Sequence, residues 1–118
     1  RTAGQTVRML LHIAPAAEWA DPEVPYRPAS LASEGFVHCS PDEETALAVA
    51  EAHYRGVPGP LLLVDLDETL LTAEVRWEDA GGRLFPHVYG PLDRAAVTGV
   101  REVRRDAAGR VTGLVPWG

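Results

Sequence analysis

The sequence predicts a single α+β domain covering residues 1–118. Three observations carry that expectation. One strong helix pattern stands among several short apolar, strand-like runs. Those runs show no regular strand–helix–strand alternation, so a parallel sheet is not expected. At 118 residues the chain suits one hydrophobic core. Hydrophobic residues at 46% and charged residues at 24% fit a water-soluble globule. No apolar run approaches the ~20 residues of a membrane span.

The elements follow in order. "VRMLLHI", Val7–Ile13, reads as a buried first strand closed by Pro15. "PAAEWA" reads as a short helix with Pro15 near its first turn. "DPEVPYRPAS" carries three prolines in ten residues and reads as an irregular loop. "FVHCS" reads as a short strand. Ser40 to Arg55 is the main helix. Ser40 is its expected N-cap, Pro41 its first residue, and Glu43 the partner in a capping box. Leu47, Ala50 and Tyr54 fall on one face, with Ala46, Val49 and His53 beside it. Gly56 is the expected stop. Leu61–Leu66 is a second buried strand, with a turn beginning at Asp67. "AEVRWE" is a candidate strand, "DAGGR" a loop, and "LFPHVYG" a strand whose Pro86 predicts an edge or a bulge. The tail reads as a hairpin, Val97–Arg104 and Val111–Val115, around a Gly109 turn.

Composition narrows the chemistry. The net charge of −6 argues against non-specific binding to nucleic acid. All eleven basic residues are Arg, so lysine Schiff-base chemistry and a lysine phosphate loop are excluded. The single Cys39 rules out an internal disulfide and fits a reducing cytoplasm. The run Met9–Ile13 is too short for the core of a secretory signal, so no leader is expected.

Strand alternation places the candidate site residues. Phe36, His38 and Ser40 share one face, with Val37 and Cys39 on the other. Phe85, His87 and Tyr89 share a face, as do Leu10 and His12. Three of the four histidines therefore sit mid-strand beside apolar or aromatic neighbours. Imidazole is costly to bury without a partner, so three such positions favour a shared site. His53, late in the helix, is sufficiently explained by the helix dipole. Trp77 and Glu78 offer a flat wall and an acceptor at a pocket rim, and Tyr89 a stacking ring with a hydroxyl. The plain alternative makes Trp77 core and Glu78 solvated. The histidines are too scattered for a local metal motif, so no metal is expected. Cys39 points away from His38, which makes a Cys–His dyad geometrically poor. Ser40 is explained by capping. Arg101, Arg104, Arg105 and Arg110 read as a solvated hairpin.

The stretches "LLHIAPAAEW", "YRPASLASEGFVHCS", "VRWED" and "FPHVYGPLDRAAV" together resemble the Domain of Unknown Function 952 family. The resemblance runs in order from about Met9 to Val103. It implies an ADP-ribosyltransferase-like fold, a split pair of small antiparallel sheets that grips NAD. By that resemblance His12 binds a ribose hydroxyl, His38 lies near the nicotinamide, and His87 with Tyr89 completes the site. Catalysis then falls to His38, His87 and Glu78, and cofactor binding to His12, His38, Ser40, Trp77 and Tyr89. Arg27 or Arg76 would meet phosphate. The third motif offers His and Tyr where protein mono-ADP-ribosylation uses Glu, which argues against that particular reaction. Two further classes stay open: a non-catalytic module binding a nucleotide or other small molecule, and a different small-molecule enzyme, for example a biosynthetic one, that uses histidine acid–base chemistry on the same fold.

Overall fold

A computed structural model describes residues 8–20 and 25–117. The chain forms β1 (Met9–Pro15), α1 (Ala16–Trp19), α2 (Ala29–Glu34), β2 (Val37–His38), α3 (Glu43–His53), β3 (Leu61–Asp67), β4 (Glu74–Ala80), β5 (Arg83–Tyr89), β6 (Val97–Arg105) and β7 (Val111–Pro116). Single 3₁₀ turns at Glu68–Leu70 and Arg94–Ala96 precede β4 and β6. Two antiparallel sheets result: one of four strands, β1-β3-β6-β7, and one of three, β2-β5-β4. The α+β class, the antiparallel sheets and the single long helix agree with the sequence expectation. Among the described residues, no helix is long and apolar enough to cross a membrane.

The sheets meet edge to edge at one point. Leu11 and Ser40 exchange both backbone hydrogen bonds, at 3.0 and 2.7 Å. Around this hinge the alternating faces sort the core. Leu10, Ala14, Val64 and Leu66 pack with Val37, Cys39 and Val88 of the smaller sheet. Leu11, Ile13, Leu61, Leu63 and Val103 pack against Ala46 and Ala50 of α3. Fully burying a side chain such as Leu10 or Leu63 stabilises by about 1.5–3 kcal/mol, and both are 0% exposed.

Several local expectations give way to tertiary demands. Helix α3 starts at Glu43, and its N-cap is Asp42, whose Oδ1 accepts from the Thr45 amide at 2.7 Å. Ser40 is not the cap, because its N–H and C=O are already committed to β1. The Ser40–Glu43 capping box with Pro41 as first residue therefore does not form. The helix ends at His53, with Tyr54 as C-cap. Arg105 then satisfies the carbonyls of Tyr54, Val57 and Gly59 at 2.7–3.1 Å, and so closes the segment in place of a Gly56 stop. Arg101 bonds Glu43 and Asp65. Two of the four tail arginines are thus clamps rather than solvated charges.

The first strand runs on to Pro15, and Val7 lies outside the described residues, as do positions 21–24 of the Pro-rich loop. Within the rest of that loop, Tyr26 pairs with Leu92, and Ala29 and Ser30 open α2. That helix ends at Gly35, at φ +88, where a side chain would be strained. "DAGGR" shrinks to a two-residue turn: Gly81 and Gly82, both at positive φ, as the primed hairpin turns require. Pro86 sits at neither an edge nor a bulge. It lies in the middle strand, in unbroken register with β4, and is fully buried. Its carbonyl accepts from Cys39 on the β2 side at 3.2 Å. A residue's N–H and C=O point to the same side of a strand, so the donor it lacks faces β2 and not β4. Regular β2 pairing accordingly ends at His38.

Candidate functional site

The outer face of the three-stranded sheet carries the polar cluster. On β5, Phe85, His87 and Tyr89 point outward while Pro86 and Val88 point inward. On β4, Arg76 and Glu78 share that outer face, and Val75 and Trp77 pack into the core. Phe36, just before β2, and His38 within it join them. The ring of Phe36 stacks on His87 at 4.3 Å and contacts His38 and Tyr89 at 4.8 and 5.3 Å. The His38 and His87 rings lie 5.5 Å apart, edge to face. They are directly opposed residues in adjacent strands, and the pairing register sets that approach.

Glu78 organises this cluster. Its Oε1 accepts from His87 Nδ1 at 2.8 Å and from the Tyr89 hydroxyl at 2.6 Å. Those two bonds, Tyr89's first, hold the Glu78 carboxyl below its usual range. The same bond raises Tyr89 above the ordinary phenol value. With Nδ1–H committed to Glu78, a neutral His87 carries its lone pair on Nε2. His38 Nε2 lies 3.0 Å from Glu34 on α2, half-exposed. The Arg76 guanidinium lies 4.3 Å over the Tyr89 ring and bonds Glu74 at 3.1 Å.

The cluster opens into a cleft of about 850 Å³. Leu11 and Ile13 of β1 form its floor, together with Cys39 and Ser40. Phe36, His38, Phe85 and His87 line one side, and Val49, His53 and Tyr54 of α3 the other. Ala80 and Gly81 of the β4–β5 turn close the rim. No Arg, Asp or Glu is among these residues, so the wall is apolar apart from imidazole, phenol and hydroxyl groups. Glu78 stands behind His87 rather than in the cleft wall.

His12 has a different position. It is 4% exposed and faces the inter-sheet core, its ring 5.8 Å from that of Tyr26. Its Nδ1 donates to the backbone oxygen of His38 at 2.8 Å, and its Nε2 is buried without a protein partner. Burial pushes its pKa below the ordinary imidazole value. It ties the short β2 to β1 from beneath. Cys39 is buried on the core side, its thiol pushed up to about 12 by burial.

His38, His87, Glu78 and Tyr89 thus converge, and Ser40 lines the same cleft through its backbone-locked position. Trp77 does not join them. Its ring packs into the core, with the Arg8 guanidinium 4.8 Å over it, because it alternates with Glu78 along β4. His12 reaches the site only through the His38 backbone. Arg27 is exposed and outside the cleft lining. Among the described residues, no group of three or more His, Cys, Asp or Glu is placed to hold a metal ion. Sequence reasoning missed Phe36 as the central ring, although its face-sharing with His38 was visible. It also missed His53 and Tyr54, whose place in the cleft depends on how α3 docks.

These features define a small α+β domain of two antiparallel sheets with a histidine-lined cleft. The family described as "Protein of unknown function (DUF952)" matches residues 13–100, and the chain belongs to it. The chain is similar to CC0527 from Caulobacter crescentus. The crystal structure of that protein aligns at TM-score 0.76 with 30% identity, covering 88% of this chain and 93% of that one. Its solution NMR structure aligns at 0.66, also with 30% identity, covering 92% and 90%. No curated protein matches the chain.

Proposed function

We propose that the cleft is the active site of a small-molecule transferase that uses NAD, as the ADP-ribosyltransferase-like resemblance implies. The observation that carries this reading is the Glu78-centred cluster. One carboxylate oxygen fixes His87 and Tyr89 beside Phe36 and His38, and of these Phe36, His38 and His87 line a single cleft. A carboxylate-held imidazole with a free Nε2 is a competent general base. Phe36 and Tyr89 offer aromatic faces for a planar ring. In the transfer, the ribose C1′–N bond of NAD breaks and its electron pair leaves with neutral nicotinamide. An acceptor hydroxyl or amine bonds C1′, and its proton passes to His87 Nε2. Arg76 and Arg83, on the same sheet face, are the guanidiniums closest at hand for phosphate; Arg76 bonds Glu74 and lies over Tyr89, and Arg83 pairs with Asp42 and lies over Phe85.

Titration of ¹⁵N-labelled protein with NAD tests this reading. Saturable shifts are expected at Phe36, His38, His87 and Tyr89. His87→Ala is expected to lower nicotinamide release about 100-fold or more while the protein stays folded. Absence of any shift at millimolar NAD refutes the reading. A non-catalytic binding module is the second reading, favoured by the lack of any guanidinium in the cleft wall. Saturable binding without sustained nicotinamide release selects it.

A further inference from the structure

The transfer from NAD asks for one base and no acid. Nicotinamide leaves as a neutral molecule, and the acceptor's proton goes to His87. His38 has no task in it, yet His38 is held much as His87 is. Both line the cleft, and each is bound at one ring nitrogen by a carboxylate: His87 Nδ1 by Glu78 at 2.8 Å, His38 Nε2 by Glu34 at 3.0 Å. The rings lie 5.5 Å apart, edge to face, because the two residues oppose each other across the β2–β5 pairing. The nitrogens left over are His87 Nε2 and His38 Nδ1. A neutral His87 accepts a proton at Nε2, and a protonated His38 gives one from Nδ1. Phe36, in contact with both rings, and Phe85 add apolar faces to the wall. The charges around the pair already have partners. Glu34 and Glu78 hold the imidazoles, Arg76 bonds Glu74, and Arg83, which lies over Phe85, pairs with Asp42 at 3.7 Å.

From this second carboxylate-held imidazole we infer a further activity of the cleft: proton abstraction beside the carbonyl of a small neutral ketone or aldehyde with an apolar body, with His87 as base and His38 as acid. The inference rests on the pair itself and not on NAD. His87 Nε2 takes the proton from the α-carbon, and the C–H electron pair becomes the new C=C bond. The carbonyl π pair moves to oxygen, which takes the proton from His38 Nδ1. The product is the enol, with His87 protonated and His38 neutral. Return of a proton to carbon, and of the enol proton to His38, restores the ketone or gives its isomer, and no co-reactant is consumed. The α-carbon and the carbonyl oxygen are separated by a single carbon atom, so a base and an acid on neighbouring side chains suit them. Glu78 balances the charge that arrives on His87, and its two hydrogen bonds hold its carboxyl below the usual range and so ionised. Charge growing on the carbonyl oxygen meets the His38 donor in a largely apolar wall, where such a bond is stronger than in water. A neutral substrate needs no guanidinium in that wall.

The probe is 4-phenylbutan-2-one, which has an apolar body, one carbonyl and no charge. In deuterium oxide, ¹H NMR follows the replacement of its α-hydrogens by deuterium. The protein is expected to speed this exchange about 100-fold or more over free imidazole at the same concentration. His87→Gln should lower the protein-catalysed rate about 100-fold. His38→Gln should lower it about tenfold or more. His38 is half-exposed, so this second variant keeps the test decisive if His87→Gln does not fold. Exchange no faster than with free imidazole overturns the inference. So does exchange that is undiminished in folded His38→Gln. The two proposals fail separately. Deuterium exchange without nicotinamide release from NAD removes the NAD reading and leaves the acid–base pair. Nicotinamide release without exchange removes only the pair's proposed activity.

Discussion

Replacing His12 by asparagine tests how the buried imidazole governs both stability and the site. His12 is 4% exposed, donates from Nδ1 to the His38 carbonyl at 2.8 Å, and holds a neutral ring because burial lowers its pKa. Below the ordinary value of 6.5, the unfolded chain takes up a proton that the folded chain resists. The unfolded state then binds more protons, so stability rises with pH through that window and falls on acidification. From about pH 7.5 to about pH 5 a single such group removes at most about 2 kcal/mol, and above pH 7.5 its contribution is flat. The substituted side chain retains an amide donor for the His38 carbonyl but does not titrate. Urea unfolding of wild type and His12→Asn across this range is the assay. The variant's stability should lose that part of the acid slope. His12→Ala should instead lose about 3 kcal/mol at neutral pH, from the cavity and the missing bond. It should also speed amide exchange at Val37 and His38, since β2 is two residues long and hangs on this contact. Identical acid slopes in wild type and His12→Asn would refute the reasoning.

Two further predictions concern the frame around the cleft. Asp42→Ala should destabilise by about 1 kcal/mol through loss of the Thr45 cap, whereas Ser40→Ala should leave the α3 amides as protected as in wild type. Comparing urea midpoints and amide exchange of the two variants checks this, and equal loss in both would restore Ser40 as a cap. Arg105→Ala should cost about 2 kcal/mol, because the carbonyls of Tyr54, Val57 and Gly59 lose their shared donor. Lysine should recover little of it, since one ammonium does not span three acceptors with a planar fork. An Arg105→Lys melt that matches wild type would contradict that geometry.

What was legible in the sequence is what neighbours along the chain decide. Alternation alone put Val37 and Cys39 on one face and Phe36 and His38 on the other. It likewise put His87 and Tyr89 together, because side chains in a strand switch faces at every residue. The run Leu61–Leu66 and the Gly109 hairpin were equally plain, since burial and turn chemistry are local signals. Tertiary structure decided the rest. Ser40 has a good cap's chemistry, yet its backbone was claimed by Leu11, far away in sequence. Pro86 was admitted to a middle strand because the short β2 asks nothing of its nitrogen. Glu78 became the anchor of His87 and Tyr89, and Trp77 core, through one register between β4 and β5. His12 shares its chemistry with His38 and His87 but ended up beneath them, since β1 turns that face to the inter-sheet core. Residue type and periodicity specify which groups a strand can offer. Which of those groups meet is set by pairing between distant segments, and that depends on the whole fold.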